Sequence, residues 1–326
     1  MSEPSSPKRR GRLFRCGAAF VALLAVAGYL VVQYVTGGSG GPGCKVVSGK
    51  GDGASYEFTP EQAVNAATIT AVGTARDLPE RAVTIALATA LQESALRNIK
   101  HGDRDSLGLF QQRPSQGWGT PKEIMDPTYA AGEFYDHLVK VPGYTRLPLT
   151  VAAQRVQRSG FPQAYAKHEP DAALLAAALT GQSAATLTCD GRPAATRASG
   201  PDGVRAALVR DFGRDVLEPA GAEVGGASRG TPTPSPSATD GTGGRTVTLP
   251  VTAGTTAATG RGPGLPGWQL AHWAVANASE LHIARVTYAG REWVAGNTAS
   301  QWRTVAEKGT AGAERPGDAV RIVTMR

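Results

Sequence analysis

The run Ala82-Val83-Thr84-Ile85-Ala86-Leu87-Ala88-Thr89-Ala90-Leu91-Gln92-Glu93-Ser94 holds one charged side chain, Glu93, the only one between Arg81 and Arg97. A run this long and this apolar, opened by Pro79, reads as a buried helix. At helical spacing Glu93 continues the row Ala82, Ala86, Thr89 and Ala90, so its carboxyl emerges from an apolar surface near the C-terminal end. Desolvation there favours the protonated acid, and a carboxylic acid kept neutral near pH 7 can give a proton to a leaving group. The competing reading is a salt-bridged structural glutamate at a helix end.

The segment that follows adds polar and glycine-rich turns. His101-Gly102-Asp103-Arg104-Asp105 leads into Ser106-Leu107-Gly108-Leu109-Phe110-Gln111-Gln112, and Trp118 comes close behind. Glycines let backbone approach a sugar ring, a glutamine amide can both donate to and accept from an N-acetyl group, and an indole can stack on a pyranose face. The structural readings of the same residues are turn glycines, a solvated amide and a core aromatic.

Glu93-Ser94 followed some fifteen residues on by Gly108-Leu109-Phe110-Gln111 resembles the lysozyme-like, lytic transglycosylase superfamily, which cleaves the glycan strands of peptidoglycan. The resemblance covers roughly residues 58 to 180. It implies Glu93 as the acid, and Ser94, Ser106, Gly108, Leu109, Phe110, Gln111 and Trp118 as glycan-binding residues. Family members commonly carry a Tyr-Asn-Ala-Gly tract in the second half of the cleft. Here Ala152-Ala153-Gln154-Arg155-Val156-Gln157 and, later, Tyr165 stand instead, so Gln154 and Tyr165 are the cleft candidates from that half.

The N-terminus sets the expected location. Lys8, Arg9, Arg10, Arg12 and Arg15 against Glu3 leave residues 1–15 at net +4 of the chain's +7. This tail precedes Cys16 to Val35, about 20 residues with one polar side chain, Gln33, which is long enough to span a bilayer with the tail inside. The basic cluster is thus a topology signal and gives no argument for nucleic acid. A cleaved signal peptide competes, because Ala25-Val26-Ala27 has the small-x-small form of a cleavage site, but the apolar run continues through Tyr29-Leu30-Val31-Val32. The expectation is a single-pass membrane protein, N-terminus cytoplasmic and most of the chain outside, or a secreted one if the signal is cleaved. One span forms no translocation path, which excludes a transporter.

Cys44 and Cys189 bracket the lysozyme-like region, and in an oxidising exterior they are most simply a disulfide. Closing so long a loop stabilises by roughly 4 kcal/mol in the chain-entropy model. Five scattered histidines and no Cys-x-x-Cys give no metal ligand set, and no cofactor motif is present.

The chain divides, on this reading, into a basic tail (1–15), a transmembrane anchor (16–35), a spacer (36–57), a lysozyme-like all-α domain of five or six helices (58–190), and a linker (191–245). The linker holds an amphipathic helix at 204–216 and a disordered Pro/Thr/Ser/Gly tract. A small α/β domain (246–326) closes the chain. The predicted fold class is α+β overall. In the last unit, Thr246–Val251, Ala284–Tyr288, Arg291–Trp293 and Ala319–Met325 read as strands and Trp268–Leu281 as a helix. This unit resembles a C-terminal domain recurrent in exported actinobacterial wall proteins. Its tryptophans, Trp268, Trp273, Trp293 and Trp302, invite either a carbohydrate-binding reading or a core reading, and His272 with Glu292 either acid-base work or structure.

The leading expectation is a membrane-anchored peptidoglycan lytic enzyme acting on the β-1,4 bond between N-acetylmuramic acid and N-acetylglucosamine, with Glu93 as acid. A hydrolytic version needs a second carboxylate, for which Asp103 and Asp105 are the nearest candidates in sequence. The alternative is a non-catalytic glycan-binding scaffold whose C-terminal domain recruits a cell-wall protein.

Overall fold

The computed structural model describes residues 43–161, 163–195, 198–217, 244–251, 265–296, 301–305 and 319–325. The basic tail, the candidate anchor 16–35 and the Pro/Thr/Ser/Gly tract lie outside them. Among the described residues no helix is long and apolar enough to cross a membrane.

Helix α1 (Pro60–Ala75) starts where the sequence places it. The Thr59 hydroxyl accepts from the Gln62 amide N–H, Gln62 reaches back to the Thr59 N–H, and Pro60 occupies the first turn. Helix α2 (Glu80–Ser94) follows Pro79 and is buried along almost its whole length from Ala82 to Leu91. A short α3 (Pro121–Ile124) leads to α4 (Pro127–Leu138), capped by Asp126, whose carboxylate accepts from the N–H groups of Thr128 and Tyr129. Helices α5 (Leu149–Gln157) and α6 (Glu169–Leu179) complete the bundle, in which α6 packs on α2 and α4 on α1. Six helices between residues 58 and 190 match the expected count.

From Gly43 on, the segment assigned as spacer is structured. Strand β1 (Cys44–Val47) pairs with β2 (Ser55–Phe58) and with β3 (Leu187–Cys189), all antiparallel, and puts Cys44 opposite Cys189. The two cysteines form a disulfide. Two four-residue strands in a Gly/Ser/Lys-rich stretch carry too little alternation to announce themselves. The region 43–190 is consequently a helical bundle with a small sheet rather than all-α, and the chain as described is α+β.

The boundaries drawn at 191 and 246 do not separate cores. Helix α7 (Gly200–Phe212) runs into a 3-10 turn at Arg214–Leu217 and packs on α1. Strands β4 (Thr246–Pro250), β5 (Ile283–Tyr288), β6 (Arg291–Val294), β7 (Arg303–Thr304) and β8 (Ala319–Thr324) form an antiparallel sheet of order β4-β8-β5-β6-β7. Helix α8 (Leu265–Ala276) lies between this sheet and the bundle, against α1, α6 and β3. One apolar cluster therefore runs from Val46 to Ile322, and the described residues beyond Pro42 make one compact unit.

Three buried polar contacts tie the parts together. Asp211, with its carboxylate wholly buried, accepts from Trp273 Nε1 (2.8 Å), Thr68 Oγ1 (3.3 Å) and Arg210 Nε (2.8 Å). His272 accepts from the Thr186 N–H on Nε2 and so donates from Nδ1 to the Ala178 carbonyl, 2.8 Å away. Burial holds it neutral, with a pKa pushed down to about 4. The Trp293 and Trp302 indoles donate to the carbonyls of Cys189 and Leu187. All four C-terminal tryptophans are buried, which decides for the core reading. His272 and Glu292 make no acid-base pair either: Glu292 is bound to Arg285 at 3.3 Å.

Candidate active site

Helix α2 ends abruptly one residue past Glu93. Ala95 and Leu96 both take left-handed backbone conformations (φ 53° and 57°), which side chains with a Cβ adopt only at a cost. Two amides from α1 hold that stop in place: Gln62 Nε2 donates to the Ala95 carbonyl and Asn65 Nδ2 to the Leu96 carbonyl, each at 2.8 Å. Ser94, buried behind the acid, donates from Oγ to the Leu109 carbonyl at 2.8 Å and pins the glycine-rich loop to the helix end.

That loop is folded tightly. Leu107 and Gln112 exchange backbone hydrogen bonds, and the Gly108 N–H donates to the Ile99 carbonyl. Gly108 has φ 75°, and a Cβ there would stand 2.7 Å from the Ile124 carbonyl oxygen, so only glycine fits. Leu109 and Phe110 are buried core residues, Phe110 stacking on Phe134. Gln111, on a left-handed backbone, lines an open cleft while its amide donates to the Gly108 carbonyl at 3.2 Å.

The cleft has a volume of about 760 Å³. Of the candidate site residues, Glu93, Ser106, Gln111 and Trp118 line it. Ser94, Gly108, Leu109 and Phe110 instead build its wall from behind. Gln154 is not on the surface of the cleft; its amide donates to the Ser159 carbonyl and steadies the loop after α5. Tyr165 is fully buried and touches the acid itself, its hydroxyl donating to Glu93 Oε1 at 2.6 Å.

Burial pushes the Glu93 carboxyl above its ordinary value, opposed by the Tyr165 hydrogen bond and, in the same sense as Tyr165, by the Gln157 amide. The Tyr165 phenol is raised by burial and by the neighbouring carboxylate, so it stays a donor. Asp105 behaves oppositely. Hydrogen bonds from Ser115 and Arg113 hold it well below the usual carboxylate range, with Arg113 Nε at 2.7 Å and the Ser115 N–H at 2.8 Å. It braces the loop and is not available to activate water. Asp103 is the one other carboxylate lining the cleft among the described residues.

The rest of the lining comes from residues that sequence reasoning passed over: His137, packed 4.2 Å from Trp118 by ring centroids, with Lys140, Arg155, Gln157, Arg158 and Phe161. Among the described residues no group of histidines, cysteines and carboxylates is gathered as for a metal ion. Comparison with curated proteins gives no match. Residues 224–315 match the family model described as VldE, C-terminal domain; this span contains β4, α8, β5, β6 and β7 and none of the residues that line the cleft.

Proposed function

We propose that the protein cleaves peptidoglycan glycan strands as a lytic transglycosylase-like enzyme, with Glu93 as its acid and base, and that residues 16–35 anchor it in the membrane with the cleft outside. The observation that carries the reading is a single half-buried glutamic acid, biased toward its protonated form, at the wall of an open cleft. The lysozyme-like reading of the bundle draws further support from the Ser94–Leu109 link, which joins the two motifs of the sequence resemblance in space.

In this reading Glu93 protonates the leaving glycosidic oxygen as the bond to C1 of the muramic acid breaks. The sugar's 2-acetamido group helps stabilise the oxocarbenium-like centre, and Glu93, now a carboxylate, takes the proton from the sugar's C6 hydroxyl as that oxygen closes on C1. No second carboxylate is required. This suits a site where Asp105 is committed to Arg113 and Ser115 and the other carboxylate of the cleft lining, Asp103, is solvated with its side chain 93% exposed. Tyr165 and the Gln157 amide stabilise the carboxylate stage without supplying the transferred proton, acting as positioning residues.

The test is Glu93→Gln, which keeps the shape and an acceptor for Tyr165 but has no proton to give. Turnover should fall by about 10²- to 10⁴-fold or more, with glycan binding retained. Mass spectrometry of muropeptides released by the native chain should find 1,6-anhydro ends. Reducing ends as the main product overturn the transglycosylase assignment, and undiminished release by the glutamine variant removes Glu93 as the acid.

A further inference from the structure

Three cations at the edge of the cleft, Lys140, Arg155 and Arg158, make no ion pair among the described residues. The neighbouring arginines are committed elsewhere, Arg113 to Asp105 at 2.7 Å and Arg104 within 4.0 Å of Asp103. All three line one opening. Arg155 and Arg158 are one turn apart at the end of α5, and burial, Lys140 and Arg158 lower the His137 pKa against the opposing pull of Glu133 and Asp136. On the α4 side Asp136 is held by Arg76 at 2.6 Å, and neither Asp136 nor Glu133 lines the cleft.

Folding gains nothing from this arrangement. Like charges one helical turn apart repel, and Arg158 occupies the left-handed C-cap of α5 (φ 52°), where glycine would sit without strain. Beside them Phe161 is 77% exposed, the most exposed large apolar side chain among the described residues. What shifts Glu93 is burial and two hydrogen bonds, neither from these cations. A cationic edge with an apolar neighbour, held against its own repulsion, is built for an anionic ligand.

N-acetylated sugar rings carry no charge. On a peptidoglycan strand the muramic lactyl group is tied up in an amide, and the carboxylates sit on the peptides beyond it. We propose that Lys140, Arg155 and Arg158 bind the carboxylates of those peptides, so that the cleft selects peptide-bearing strands over stripped ones. The assignment rests on the glycan-cleaving reading above.

The experiment uses the full chain and two substrates, intact sacculi and sacculi stripped by an amidase that removes the peptides and leaves free lactyl carboxylates. Because the amidase also removes the cross-links and leaves soluble strands, both substrates are sonicated to soluble fragments, and their capture by immobilised Glu93→Gln and their cleavage by the native chain are measured at low and high salt. Intact sacculi should be bound and cut about tenfold better, with the advantage falling as salt rises. The change should appear in KM. The variant Lys140→Gln/Arg155→Gln/Arg158→Gln should bring the ratio toward one, while Arg155→Lys/Arg158→Lys preserves most of it and separates lost charge from lost fold. Equal handling of both substrates, or a preference for the lactyl carboxylates of stripped sacculi, overturns the proposal. Binding of intact sacculi that depends on the three cations, with no cleavage of either substrate, upholds it and removes the catalytic reading instead.

Discussion

The Tyr165 hydroxyl lies 2.6 Å from Glu93 Oε1 and donates to it, joining the segment before α6 to the last turn of α2. A hydrogen bond to a carboxylate favours its ionised form and offsets part of the upward push from burial. Tyr165→Phe removes that donor, so the Glu93 carboxyl should rise further. The acid form then persists to higher pH, and the alkaline limb of kcat/KM against pH should move upward. An alkaline limb that stays in place in the variant means that the titrating acid is not Glu93.

Asn65 is a stability prediction with a functional reading. Asn65→Ala strips the buried Leu96 carbonyl of its amide donor at a pair of left-handed residues. Leaving that group unsatisfied should cost about 1–3 kcal/mol, seen as a lower denaturant midpoint at unchanged slope. Because the same stop orients Glu93, activity should drop by more than the folded fraction does, measured at a temperature where both proteins are fully folded.

Asp211→Ala tests whether the bundle and the C-terminal sheet unfold together. It deprives the Trp273 indole and the Thr68 hydroxyl of their acceptor and Arg210 of its partner. A loss of about 3 kcal/mol is expected. Calorimetry of the native chain should give one transition, and the variant should melt lower and still as one. Two resolved transitions in the native chain would show the halves to be independent.

Reduction probes the Cys44–Cys189 link. Breaking it frees a loop of 145 residues in the unfolded chain, so the oxidised protein should be more stable by about 4–5 kcal/mol in the chain-entropy model. Unfolding in denaturant with and without reductant gives the difference. An identical midpoint in both would mean that the link does not restrict the unfolded chain, and would overturn the chain-entropy account for this pair.

Much of the helical frame was legible because its signals are local. Thr59-Pro60, Pro79 and Asp126-Pro127 each sit at a helix start, and the alternation in Ala284–Tyr288 and Ala319–Met325 anticipates β5 and β8 to within a residue or two. The central strand Cys44–Val47 was missed because one of its two partners lies 145 residues away and the other is only four residues long. Asp211 drew no notice within the amphipathic stretch 204–216, because only tertiary packing buries it. At the cleft, Glu93, Ser106, Gln111 and Trp118 came from one contiguous tract with a recognisable order. Lys140, Arg155, Arg158 and Phe161 come from two other segments with ordinary surface composition, and only the packing of α4 and α5 beside α2 brings them to the same opening.

The distance along the chain between β1 and β3 has a consequence for assembly during synthesis. A ribosome adding about 5–20 residues per second exposes Cys44 many seconds before Cys189 exists. During that interval β1 can pair only with β2, leaving one edge of the nascent hairpin bare and its thiol open to capture. The chain has three cysteines in all, and in the proposed topology Cys16 stays at the cytoplasmic side of the membrane, so the exported thiol meets no internal partner until Cys189 arrives. Correct oxidation is thus a matter of timing as much as of proximity, and the last strand to arrive closes both the sheet and the covalent ring in one step.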